Sequence, residues 1–157
     1  MDQETLNSNS SLIALNLPPF PFKLRTDGQS KQIFDGLRKK YVALTPEEWV
    51  RQHFISFLIT EKKYPSSYLS VERGLKVNAL HKRTDIVIYN KERKPWMIVE
   101  CKAPGVEITE ETFYQAGRYN IKLKVSYLVL TNGLSHFCMR LNSDQMVFED
   151  DLPGFEG

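Results

Sequence analysis

Asp85-Ile86-Val87-Ile88-Tyr89 and, beyond the polar loop Asn90-Lys91-Glu92-Arg93-Lys94, Trp96-Met97-Ile98-Val99-Glu100-Cys101-Lys102 decide how this chain folds. Both are short apolar runs bounded by polar turn residues, which reads as two buried strands joined in a hairpin, over roughly 84–90 and 96–102. Alternation puts Trp96, Ile98, Glu100 and Lys102 on one face of the second strand and Met97, Val99 and Cys101 on the other. Both faces are largely apolar, so the strand is expected at the centre of a sheet covered on each side. Two anions and a cation at the edge of such a layer are costly without compensation. Asp85 and Glu100 offer hard oxygens to a divalent cation, and the Cys101 backbone carbonyl can add another. Lys102, about 6 to 7 Å along the strand from Glu100, can contact the attacking water or a phosphate. The arrangement points to metal-assisted phosphodiester cleavage, although an ordinary ion-pair cluster at strand ends fits the same spacing, because Glu-x-Lys is short and common.

Working outward, Thr45-Pro46-Glu47-Glu48 is a helix start, with Thr45 as cap, Pro46 at the first helical position and Glu48 where a capping box needs it. The helix is expected to reach about Thr60, with Val50, Phe54, Phe57 and Leu58 as its core-facing stripe. A strand over roughly 68–77 precedes the hairpin. A second helix fits 109–121, opened by Thr109-Glu110-Glu111-Thr112, followed by a strand at 126–130 and, through the turn Asn132-Gly133, another at 136–141. This order predicts an α/β domain, a mixed central sheet flanked by helices. Turn signals at Asp27-Gly28 and Asp35-Gly36 add a small N-terminal β extension. The expected organisation is a flexible arm over residues 1–21, a domain over 22–148 with its core at about 45–141, and an acidic tail over 149–157.

At 157 residues, 41% apolar and 25% charged, the chain suits one globular domain. A net charge of +2 permits a nucleic-acid partner without requiring one. No stretch approaches the roughly 18 to 20 apolar residues of a membrane span, and the N-terminus lacks a secretory pattern. Two cysteines, Cys101 and Cys138, suit a reducing cytoplasm, so a cytoplasmic protein without disulfides is expected. His53, His81 and His136 lack ligand spacing, which argues against a zinc or histidine-metal site. Cys101 reads as a buried thiol, Glu72 and Arg73 as a structural ion pair, and Trp49, Trp96 and Tyr127 as packing residues.

Gln115 and Tyr119 stand at i and i+4 on the second helix and so share a face, directly after the lysine strand. Asp85, then Glu100-x-Lys102, then Gln115-x-x-x-Tyr119 resembles the PD-(D/E)xK nuclease superfamily, most closely the N-terminal nuclease domain of type I restriction enzyme R subunits. Leu44 to Gln52, Arg83 to Val87, Val99 to Pro104 and Leu130 to Gly133 look like that family's segments in the same order. The likeness covers about residues 22–141. It implies a restriction-endonuclease-like fold and Mg²⁺-dependent hydrolysis of the DNA backbone, with Mn²⁺ as a substitute. Asp85 and Glu100 inherit the metal-ligand role, Lys102 the catalytic lysine, and Gln115 and Tyr119 the helix motif that organises the site. The family's first-helix glutamate falls on Glu47, seven residues before Phe54 and hence within about 20° of the core-facing direction. An exposed i,i+4 pair with Arg51 is the other account of Glu47.

The sequence departs from the pattern in two places. Thr84 stands where the superfamily's proline would be, and no Gly-Lys-Ser/Thr phosphate loop occurs in these residues, so this chain is not expected to translocate DNA by itself. The expected partners are DNA and a separate motor or specificity subunit, with a homodimer left open and no membrane. The rival is a non-cleaving nucleic-acid-binding or partner-docking module that keeps the nuclease fold.

Overall fold

A computed structural model describes residues 12–71, 74–77, 80–83, 85–143 and 145–155, with 74–77 and 80–83 described as backbone. A three-stranded meander comes first, β1 (Leu24–Asp27), β2 (Ser30–Asp35) and β3 (Lys40–Ala43), turning at Gly28 (φ 61°) and at Lys39 (φ 58°). Helix α1 (Pro46–Thr60) begins where the sequence marks it, with the Thr45 hydroxyl accepting the Glu48 amide. Strands β4 (Leu69–Val71), β7 (Ile86–Tyr89) and β8 (Pro95–Cys101) lead to helix α2 (Glu110–Asn120), whose cap pairs Thr109 with Thr112 in both directions. Strands β9 (Tyr127–Thr131), β10 (His136–Asn142) and β11 (Gln145–Glu149) finish the chain.

The main sheet has six strands in the order β11-β10-β9-β8-β7-β4, antiparallel except for the β8–β9 pair, which α2 connects as a crossover. Val50, Phe54 and Leu58 of α1 pack on Ile86, Ile88, Met97 and Val99. Phe113 of α2 packs on Ile98, Leu128 and Leu130. Met97 and Ile98 thus face opposite helices, and the mixed sheet lies between them. The α/β expectation with a small N-terminal β extension holds. No helix of the described residues is long and apolar enough to cross a membrane.

Three local expectations change. Trp96 leaves the Glu100 face: Ile88 pairs with Met97 but Tyr89 with Pro95, so Trp96 is the extra residue of a bulge. It packs instead against Tyr64, Tyr127 and Phe155. The strand expected over 68–77 falls in two sheets, its first part being β4 of the main sheet. Its second part, β5 (Gly74–Val77), pairs with β6 (Leu80–Arg83) in a separate two-stranded ribbon. Finally, β11 extends the sheet beyond the expected last strand, pairing with β10 around Ser143 (φ 50°). The Glu72–Arg73 pair lies outside the described residues.

Both ends of the described residues touch the domain. The Ile13 carbonyl accepts the Trp49 indole N–H at 2.9 Å, and the Asn16 amide donates to the Gly133 carbonyl at 2.8 Å. Gly133 has φ 84°, and a Cβ there would lie 2.7 Å from Leu15, so the turn needs glycine both for its backbone and for this close approach. Beyond β11, Asp151 pairs with Lys62 at 2.7 Å and the Pro153 carbonyl accepts the Tyr64 hydroxyl.

Candidate active site

Asp85 immediately precedes β7. Extending the antiparallel register Ile86↔Val99 by one residue sets it opposite Glu100. Its Oδ2 accepts the Cys101 backbone N–H at 2.8 Å, which ties the carboxylate to the end of β8. Lys102 is held by continued pairing with β9, its amide donating to the Thr131 carbonyl at 2.8 Å. Asp85, Glu100, Lys102, Gln115 and Tyr119 line one cavity of about 560 Å³ between this strand end and α2. Lys102, Gln115 and Tyr119 are exposed to it. Gln115 lies 3.5 Å from Glu111, a weak contact along its own helix.

Glu47 stands slightly apart, lining a second cavity with Arg38, Glu48, Arg51 and Ala103. Its Oε1 is 3.7 Å from Arg51, so the pair with Arg51 exists as a loose contact. Burial, and then the charge of Asp85, push the Glu47 carboxyl above its ordinary range against the pull of Arg51 and Lys102. Glu47 therefore feels the field of the same two residues that line the first cavity.

The electrostatic frame of Asp85 was not legible in the motif. Arg51 is almost wholly buried and donates Nη2 to Asp85 Oδ1 at 2.8 Å and Nη1 to Glu48 Oε2 at 2.9 Å. Glu48 Oε1 accepts from Arg38, whose Nε donates to Asp35 Oδ2 at 2.6 Å. Asp35 is fully buried and also accepts the amides of Leu37 and Arg38 and the side chain of Gln52. Signs alternate along this ladder, Asp35, Arg38, Glu48, Arg51, Asp85, from the end of β2 to the start of β7. Burial alone would raise the Asp35 carboxyl, but the Arg38 and Gln52 hydrogen bonds and the Arg38 charge outweigh it and hold it below its usual value. Glu48 does not close the expected capping box: its amide donates to the Thr45 hydroxyl, but the Thr45 amide donates to the Ala43 carbonyl and the Glu48 carboxylate joins two arginines instead.

On the other side, Asn120 is fully buried, and its Nδ2 donates to Glu100 Oε1 at 3.2 Å and to the Ala116 carbonyl at 2.8 Å. Sequence reasoning passed it over, although it follows Tyr119 directly. The polar run Arg51-Gln52-His53 in the middle of a core-facing helix was the available signal for the ladder. His53 proves to be packing: it lies between Phe22, tilted to it, and Trp49, edge to face, and burial lowers its pKa despite the bond to the Trp49 carbonyl. Cys101 and Cys138 are free, buried thiols, and burial pushes the Cys101 thiol well up, so it stays protonated.

The donor set fits Mg²⁺. Among the described residues no three His, Cys, Asp or Glu side chains gather as a cage. Mg²⁺ commonly takes only one or two carboxylates and keeps waters or substrate phosphates in its other positions. Asp85 and Glu100, at the end of the central strands and lining the same cavity, are the two carboxylates that could serve as such ligands.

A mixed sheet between two helices, with two carboxylates and a lysine gathered where its central strands end, defines a nuclease-like α/β domain. Residues 46–153 match the family described as type I restriction enzyme R protein N terminus (HSDR_N), and the chain belongs to that family. Its role is accordingly related to restriction enzymes. A search of curated proteins finds no match to the chain.

Proposed function

We propose that this domain hydrolyses DNA phosphodiester bonds with Mg²⁺, in the manner of PD-(D/E)xK nucleases. The supporting observation is the gathering of Asp85, Glu100, Lys102, Gln115 and Tyr119 around one open cavity in a member of the R protein N-terminal family. Asp85 and Glu100 would hold the ion, with the Cys101 carbonyl as a further ligand. The ion would supply Lewis-acid stabilisation of charge on the phosphate and lower the pKa of a bound water. Lys102, exposed at the strand end, would donate an N–H to the attacking water or to a phosphate oxygen, where charge develops. Gln115 and Tyr119 present polar groups from one helical face to the DNA near the scissile bond. Asn120 fixes the Glu100 carboxylate, and Glu47 completes the site from α1. DNA is the substrate this reading requires, and a separate motor or specificity subunit is a partner it accommodates.

One observation favours a second reading, a nucleic-acid-binding or docking module without cleavage: both oxygens of Asp85 already accept hydrogen bonds. One assay separates the two. Purified protein with Mg²⁺ or Mn²⁺ is expected to cut plasmid or single-stranded DNA, and Asp85→Ala and Lys102→Ala are expected to lose at least about 100-fold in rate. Salt-sensitive DNA binding with equal, background cleavage by wild type and variants would favour the docking module.

A further inference from the structure

We infer that Arg51 is the resident counter-cation of Asp85, occupying it until a divalent cation arrives and setting how weakly that cation binds. This rests on the metal-site reading above. The arginine is built to change partners without losing charge compensation. Its two terminal nitrogens serve different acceptors, Nη1 to Glu48 at 2.9 Å and Nη2 to Asp85 at 2.8 Å. Glu48 cannot follow Asp85, because its backbone is capped by Thr45 and its other oxygen is bound to Arg38, itself locked to the buried Asp35. The nitrogen that would be released from Asp85 already lies 3.7 Å from Glu47. A cation at Asp85 therefore takes one hydrogen bond from Arg51 while Glu48 keeps the guanidinium paired, and Glu47 stands ready as the second acceptor. Arg38 and Asp35, which hold Glu48, lie outside the matched region 46–153, so the N-terminal meander takes part in tuning the site.

Removing a unit charge this close to a carboxylate ligand takes away a repulsion felt by any incoming cation. Calorimetric titration of Mn²⁺ into the intact protein is expected to give Arg51→Met a dissociation constant at least about tenfold lower than wild type. The metal-free variant should melt at lower temperature, with part of the deficit recovered in saturating Mn²⁺. Where Arg51→Met does not fold, the guanidinium ¹⁵N resonances of wild-type Arg51 provide the second measurement: Mg²⁺ should shift the Nη2 signal and leave Nη1 in place. An unchanged or higher dissociation constant, or an Nη2 signal indifferent to Mg²⁺, overturns the inference and leaves the metal site standing. Failure of wild type to bind Mn²⁺ overturns both.

Discussion

The two sides of Asp85 differ in what surrounds their charges. Toward α1 the ladder from Asp35 to Arg51 is buried, each charge gripped by one of opposite sign. Toward α2, Lys102, Gln115 and Tyr119 face an open cavity, and the buried Asn120 reaches Glu100. The dry side is suited to holding a carboxylate in place and the wet side to admitting a cation, water and phosphate. Asp85 belongs to both, which is why it, rather than Glu100 or Lys102, joins the architecture to the chemistry.

Substitutions should separate the two sides. Asp35→Ala takes away the buried carboxylate that Arg38, Gln52 and two backbone amides share, and thermal or denaturant unfolding is expected to show a loss of about 3 to 5 kcal/mol. Lys102→Ala, on the exposed side, should leave stability within about 0.5 kcal/mol of wild type while abolishing cleavage. A stable Asp35→Ala protein would break the comparison. Next in size, Asn120→Ala removes the Glu100 and Ala116 bonds from a buried site, with an expected cost of about 1 to 3 kcal/mol and a weaker response to Mg²⁺. Such a variant with unaltered metal dependence would reduce Asn120 to a helix-end support.

The smallest effect lies in the acid limb. The folded pKa of Asp35 is below its ordinary 3.8, so the unfolded chain takes up the proton first as pH falls. Its stabilisation is present above about pH 4 and disappears as pH drops through the folded value. His53 is a base with a lowered folded pKa, and its stabilisation is present above 6.5 and declines as pH falls from there toward the folded value. Unfolding measured against pH should thus show two declines, with Asp35→Asn flattening the lower and His53→Gln the upper.

Much of this was legible because it is local. Thr45-Pro46 and Thr109 with Thr112 announce helix starts through backbone groups a few residues away, and α1 and α2 begin there. Strand alternation and one helical turn show which of Asp85, Glu100, Lys102, Gln115 and Tyr119 share a face, the family resemblance picks them out as a set, and they line one cavity. What escaped depends on pairing between distant residues. The Trp96 bulge is a property of register with Tyr89, not of its own run. Strand β11 carries Met146-Val147-Phe148 without alternation and exposes two of the three at the sheet edge, so no period marks it. The ladder joins a turn at Asp35 and Arg38 to a helix and a strand start 34 residues past Arg51, and no motif spans such separations.

The most direct measurement is a crystal structure of the protein soaked in Mn²⁺, with anomalous scattering recorded at the manganese edge. The expected result is a peak shared by the carboxylates of Asp85 and Glu100, with Lys102 and Tyr119 bordering the same cavity. Carboxylates left apart, with no anomalous peak between them at saturating Mn²⁺, would contradict the metal-dependent nuclease reading and return Asp85, Glu100 and Lys102 to an ion-pair cluster at strand ends.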